Sequence, residues 1–266
     1  MDEIADTFGE AQFWGARFGA LLLDHLPLAP DGPVLDLGCA TGFPLFELAH
    51  VLGPRHRLIG ADLWLRALEH AGRRREIYRL PNVGLAAADG AALPFRGGSV
   101  GMVVSNLGVN NFARPDDVLA ECLRILRPGG VLALTTNLAG HMREVYEVFR
   151  GAATDAGDGA AVERLAADEA RRGTESSIVE RIGRAGFRVR RTARSELAFR
   201  YADGGALFSH WLTRIGFLPA WRAALGPENE RALLAEAARR LDAIAAREGE
   251  LQTTVPMLYL EAERPR

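Results

Sequence analysis

The chain contains no lysine: every one of its 32 basic residues is an arginine. That absence excludes Schiff-base chemistry and any ε-amino nucleophile. Cysteine is nearly as scarce. Cys39 and Cys122 are the only two, and no Cys-x-x-Cys pair exists, so a thiolate metal site is not expected. Isolated thiols fit a reducing compartment. No stretch approaches the ~18 uninterrupted apolar residues of a membrane span. The opening Met-Asp-Glu lacks the basic region and apolar run of a secretory leader. These absences lead to the expectation of a cytoplasmic globular protein with no membrane span. A surplus of either charge is also missing. The 32 basic and 34 acidic residues leave a net charge of −2, so no global field holds a polyanion and no nucleic-acid partner is expected.

What the chain does have is apolar residues, 48% of 266, enough to bury a large core. From residue 33 onward, short apolar runs alternate with helical patterns. Strands are predicted at 34–37, 57–61, 83–88, 99–105 and 131–135. Their near-continuous apolar runs suit strands covered on both faces. Helices are predicted from Thr41 to Leu52 with Pro44 in the first turn, from Trp64 to about Leu80 with Leu65, Leu68 and Ile77 inward, and over 116–126 with Leu119, Cys122, Leu123 and Leu126 on one stripe. A turn is expected at 127–130. Further on, 141–172 reads as helical with a break at 156–159. A helix follows at 176–186, a long strand at 187–201, a mixed aromatic stretch at 203–225, an amphipathic helix at 228–248 carrying Leu233, Ala237, Leu241 and Ile244, and a last strand at 254–261. Repeated strand–helix units make a doubly wound parallel sheet, and such sheets bind ligands beyond the carboxyl ends of their strands.

Polar residues stand where that rule places a ligand. Asp36, Asp62, Asp89 and Asn106 fall at or just past the ends of four successive strands. The first loop, Gly38-Cys39-Ala40-Thr41-Gly42, uses glycines for sharp turning and close backbone approach. It departs from the Gly-x-Gly-x-x-Gly pattern at Ala40 and at Phe43, which suits a ligand without a pyrophosphate better than NAD. Asp62 follows Gly38 by about 24 residues, near the ~20 of a carboxylate that grips ribose hydroxyls; the same residue also suits a helix N-cap. Asp89, followed by Gly90, can accept from an exocyclic amino group beside a planar ring, and Asp-Gly is equally an ordinary turn.

With these pieces in place, the chain resembles class I S-adenosylmethionine methyltransferases, most of all the small-molecule, quinone-biosynthesis-like (type 11) group. The resemblance rests on Val34-Leu35-Asp36-Leu37-Gly38-Cys39-Ala40-Thr41-Gly42, on Gly60-Ala61-Asp62, on Ala88-Asp89-Gly90-Ala91-Ala92-Leu93-Pro94-Phe95 and on Leu126-Arg127-Pro128-Gly129-Gly130-Val131-Leu132. It implies a Rossmann-like, doubly wound, mostly parallel seven-stranded sheet with the last strand antiparallel, plus N-terminal and inserted helices forming a cap. It implies one methyltransferase domain over 1–266: a cap at 1–30, a cofactor-binding core at 31–140, cap insertions at 141–172 and 203–250, and the last two strands at 187–201 and 253–264. It also implies S-adenosylmethionine as cofactor. Asp36 with Gly38, Cys39, Ala40 and Gly42 would hold the methionine end, Asp62 the ribose, and Leu63 the adenine face. Asp89 with the backbone at Gly90 and Ala91 would meet the adenine edge, and the backbone near Asn106 the ammonium. Ala40 stands where the family usually has glycine.

The reaction expected on this basis is in-line transfer of the methyl group to a small-molecule acceptor, giving S-adenosylhomocysteine. The protein's tasks are alignment and exclusion of water, with a general base needed only for a protonated nucleophile. His141 and His210 are the candidates for that base. Phe13, Trp14, Asn110, His141 and Trp211 are the candidate acceptor contacts, with Phe8 and Phe18 as further lid aromatics, and Arg143, Arg150 and Arg214 could pair an acceptor carboxylate. The alternatives are a non-catalytic S-adenosylmethionine-binding regulator and a nucleotide-dependent oxidoreductase.

Overall fold

The computed structural model describes residues 13–266; Phe8 lies outside them. The chain divides into two compact units. The first takes in the described residues up to Thr136, with Glu175–Arg194 and Leu258–Arg266, and the second Asn137–Thr174 and Ser195–Met257.

The first unit opens with helix α1 (Phe13–Leu23), which buries Phe18, Leu21 and Leu22. Strand–helix alternation follows: β1 (Val34–Leu37), α2 (Leu45–Leu52), β2 (Leu58–Asp62), α3 (Leu65–Ile77), β3 (Val83–Ala87), β4 (Val100–Asn106), α4 (Pro115–Ile125) and β5 (Leu126–Asn137). Strands β1, β2, β3, β4 and β5 pair in parallel, with Val34 beside both Leu58 and Met102, and Val104 beside Ala133. The sheet has seven strands in the order β3-β2-β1-β4-β5-β7-β6, where β6 is Arg188–Tyr201 and β7 is Leu251–Glu263. The last strand runs antiparallel to the rest, as the resemblance implied. From β1 the chain builds outward to β3, then returns to place β4 on the other side of β1. That reversal is the switch point at which such sheets leave a crevice. Central position explains composition: every residue of β1 is buried, and β4 is buried up to Asn106.

Several local expectations are corrected. Helix α2 starts at Leu45 rather than Thr41, because Gly42 (φ 103°) and Ala40 (φ 43°) are held in left-handed backbone; Pro44 is the residue before the helix. On α3, Leu65 and Ile77 are exposed, and Ala67, Leu68 and Ala71 face inward. Ile77 follows Leu68 by nine residues, which at about 100° per residue places it on the opposite side of the helix. The buried stripe of α4 is Val118, Leu119, Cys122 and Ile125, not Leu123. The turn expected at 127–130 is instead a bulge within β5. Pairing jumps from Val100–Leu126 to Met102–Val131, and Gly129 (φ 77°) absorbs the extra residues. Helix α5 (Arg143–Asp155) and α6 (Gly159–Ala170) flank the expected break, and Asp158 caps α6 by accepting from the Ala161 N–H at 2.9 Å. Helix α7 (Glu175–Arg184) precedes β6 in the first unit.

The second unit adds α8 (Gly204–Ser209), a π-helical turn (Thr213–Phe217), α9 (Leu218–Leu225) and α10 (Glu230–Glu248) to α5 and α6. Its core gathers Tyr146, Phe149, Leu165, Trp221, Leu233 and Leu241. Ala245 takes the buried place expected of Ile244 on α10. Among the described residues, no helix is long and apolar enough to cross a membrane.

Candidate functional site

The apolar surroundings that make β1 a central strand also surround Asp36. Its side chain is fully buried, and neither carboxylate oxygen has a hydrogen-bond partner. Burial, reinforced by the negative charge of Asp62, pushes its pKa up to about 8; the Leu45 N–H pulls the other way without closing a bond. A buried acceptor left unpaired is costly, and Asp36 carries that cost within the chain.

The loop after β1 lies against the loop after β4. Gly38 adopts φ 80°, and a Cβ there would stand 3.3 Å from the Cα of Gly108; a Cβ on Gly108 would come within 2.9 Å of the Leu37 carbonyl oxygen. Ser105 Oγ donates to that same carbonyl at 2.9 Å. Cys39 is fully buried, and its thiol is pushed well above the ordinary range by burial and then by Asp36 and Asp62. It is a packing residue whose sulfur stays a protonated, inert thiol.

Asp62 fastens the loop from the other side. One oxygen accepts from the Ala40 N–H at 2.8 Å and the other from the Trp64 N–H at 2.9 Å. Each oxygen keeps a further lone pair for a ligand. Leu63 is exposed beside it. Arg74 reaches back from α3 to the Thr41 carbonyl at 3.3 Å. The next strand end is tied in by the Ala88 N–H, which donates to the Asp62 carbonyl at 3.0 Å. Asp89 then accepts from the Ala91 N–H at 2.9 Å and from Arg114 at 3.0 Å, while Gly90 sits 3.3 Å, by its missing Cβ, from Val118. At the end of β4, Asn106 accepts from Thr135 at 2.7 Å and donates to the Gly15 carbonyl at 3.1 Å, which joins α1 to the strand end. Asn110 accepts from Thr136. On α1, Phe13 is exposed with Arg17 over its ring at 5.2 Å, and Trp14 packs on Phe18 at 5.3 Å. The structure thus brings Asp36, the 38–42 loop, Asp62, Asp89 and Asn106 into one connected set. Gly108, Ser105, Thr135 and Arg114 support that set and were not found from the sequence. Gly108, two residues beyond Asn106, was the one readable hint.

The remaining candidates belong to the second unit. His141 is fully buried, 5.2 Å from the Phe217 ring; burial, and then the nearby charge of Arg172, hold its pKa well below the usual value, so the imidazole is neutral. His210 is exposed, edge-on to Tyr201 at 5.7 Å, and Trp211 is half-buried. Arg143 faces Glu144 and Glu196, Arg150 holds Glu169, and Arg214 is exposed. Among the described residues, no group of three His, Cys, Asp or Glu side chains stands ready for a metal ion.

A methyltransferase domain family matches residues 35–134. The nocamycin O-methyltransferase of Saccharothrix syringae is 28% identical over 251 residues, 90% of this chain and 88% of that protein. The demethylmenaquinone methyltransferase of Lactococcus lactis is 35% identical over 124 residues, 47% of this chain and 48% of that protein. Two further curated relatives are matched over 37% and 47% of their own length, so the chain spans half or less of several of its relatives. Among solved structures, the YcgJ protein of Bacillus subtilis has the same fold, with a TM-score of 0.61 at 13% identity over 94% of this chain and 99% of that one.

Proposed function

We propose that the chain, whose residues 35–134 match a methyltransferase domain family, transfers a methyl group from S-adenosylmethionine to a small-molecule acceptor. The observation that carries the cofactor assignment is Asp36, a fully buried carboxyl with no hydrogen-bond partner. The cofactor, when bound, supplies a methyl group on a sulfonium that needs no further activation. Asp36 holds a proton at neutral pH and, on releasing it as the cationic methionine end arrives, offers that end a negative charge out of water, where an ionic contact is stronger than at the surface. The backbone of Gly38, Cys39, Ala40 and Gly42 lets that end approach closely. Asp62, already fixed by two backbone donors, has lone pairs for the ribose hydroxyls. Leu63 covers the adenine. Asp89, with the backbone of Gly90 and Ala91, takes the adenine edge, and the Asn106 backbone meets the ammonium.

For the acceptor we propose Phe13, Trp14 and Asn110 in the first unit; His141 and Trp211 remain separate candidates of the second unit. His141 is a poor general base as it stands, because burial and the Arg172 charge oppose its taking a proton. The fit of the residues to S-adenosylmethionine is tested by calorimetric titration with S-adenosylmethionine, S-adenosylhomocysteine and NAD. Micromolar binding of the first two, with none of NAD, is the expected outcome. Preference for NAD, or binding of none, overturns the assignment. Transfer of a labelled methyl group across a panel of phenols, amines and carbon acids then tests for turnover.

A further inference from the structure

Between the end of β3 at Ala87 and the start of β4 at Val100 the chain forms neither helix nor strand. Its backbone groups therefore need partners from elsewhere. Helix α4 supplies them. The Leu93 N–H donates to Glu121 Oε2 at 2.7 Å. Arg124 donates to the Leu93 carbonyl at 3.0 Å and to the Phe95 carbonyl at 2.8 Å. The same guanidinium closes on both Glu121 oxygens, at 2.6 and 2.8 Å, and that fork geometry holds the two side chains against each other. Earlier on the helix, Val118 stands 3.3 Å from where a Cβ on Gly90 would be. Arg114, the residue before α4, donates to Asp89 at 3.0 Å. Residues 114, 118, 121 and 124 follow one another at steps of three or four, so they share a side of the helix. The loop is thus laid along α4 from Asp89 to Phe95.

We propose that α4 is the splint that sets adenine recognition, with Glu121 and Arg124 as positioning residues acting through Asp89. The proposal rests on the cofactor assignment, in which Asp89 accepts from the exocyclic amino group. A carboxylate tells an amino group from a carbonyl only if it is held where that group arrives. The pair of Asp89 with Arg114 is exposed on both sides and holds weakly on its own. Leu93 is buried and Glu121 half-buried, so the clamp at 93–95 is the firmer anchor of the loop that carries Asp89.

The test is calorimetric titration of wild type, Arg124→Met and Arg124→Lys with S-adenosylhomocysteine and with S-inosylhomocysteine, which carries a carbonyl where adenine carries its amino group. The wild type is expected to prefer the adenosyl compound by about tenfold or more. Arg124→Met keeps the stem and removes the donors to Leu93 and Phe95. It should cut that preference to about threefold or less and change affinity for the inosyl compound by less than about twofold. Damage to the fold would instead weaken both ligands alike and leave their ratio unchanged. Arg124→Lys, with one donor group in place of the fork, should recover part of the preference; if Arg124→Met does not fold, Arg124→Lys carries the test, with a preference below that of the wild type. An unchanged preference, or equal loss of both ligands, in a folded variant overturns the proposal and leaves the cofactor assignment standing. A wild type that binds both compounds equally overturns the proposal together with the role of Asp89, and a wild type that binds neither overturns the cofactor assignment itself.

Discussion

Asp36 in the first unit and Asp168 in the second are both buried carboxyls, and their surroundings are opposite. Asp168 is fully served by its own chain, with the Tyr146 hydroxyl on one oxygen and Arg171 on the other. Asp36 is buried more completely and served by nothing. A protein that needs a carboxyl only for stability surrounds it with donors, because an unpaired buried acceptor costs about 1–3 kcal/mol. Leaving Asp36 without them makes sense for a group whose partner arrives as a ligand. On the proposed function, the contrast is that between a structural acid and a binding one.

The largest expected effect that can break this contrast is the pH dependence of stability. The pKa of Asp36 is near 8 in the folded chain and near ~3.9 when unfolded. The folded state therefore holds a proton that the unfolded state has lost. The stability this provides is complete below the unfolded value and is lost as pH rises towards 8. Between pH 5 and 8 the difference in unfolding free energy between wild type and Asp36→Asn should fall by roughly 2–4 kcal/mol, as urea titrations at several pH values will show. A flat difference would mean that Asp36 is solvated or paired after all.

Next in size is the effect on binding. Asp36→Asn keeps the shape and removes the charge, and should weaken S-adenosylmethionine binding by at least ~2 kcal/mol. In the wild type the same group makes affinity rise with pH until about pH 8, because the cation favours the ionised carboxyl. Asp168→Ala is the opposite kind of lesion. Removing the acceptor of the buried Tyr146 hydroxyl should destabilise the chain by about 2 kcal/mol, measured by denaturant unfolding, and change cofactor affinity less than threefold. Asp62→Ala should weaken cofactor binding by about 1.5 kcal/mol, since the loop also loses its tie to the Ala40 N–H. The smallest effect is at Ala40, an alanine held at φ 43°. Ala40→Gly should stabilise the folded chain by about 0.5–1 kcal/mol, read as a rise in midpoint at constant slope.

The first unit was largely legible in the sequence because its signals are local. The apolar runs at 34–37 and 99–105 mark strands buried on both faces, and the residues that end them mark the switch-point crevice. What could not be read there depends on neighbours distant in sequence. No pattern in the loop announces that Ala40 is pinned by Asp62, or that Asn106 is fastened to Gly15. Ile77 and Leu65 were misplaced because α3 presents short alanines inward. In the second unit nearly all the informative contacts are long-range. Arg143 and Arg150, which attracted attention by position, turn out to be paired.

The central claim, that Asp36 is unpaired because it awaits a cationic cofactor, is tested most directly by calorimetric titration of S-adenosylmethionine into wild type and Asp36→Asn in two buffers of different ionisation heat at pH 7. The account predicts micromolar binding to the wild type with a buffer-dependent heat that reports release of the Asp36 proton, and both the tight binding and that heat lost in a folded Asp36→Asn. Equal affinity in the two proteins, with no proton released by either, would contradict it.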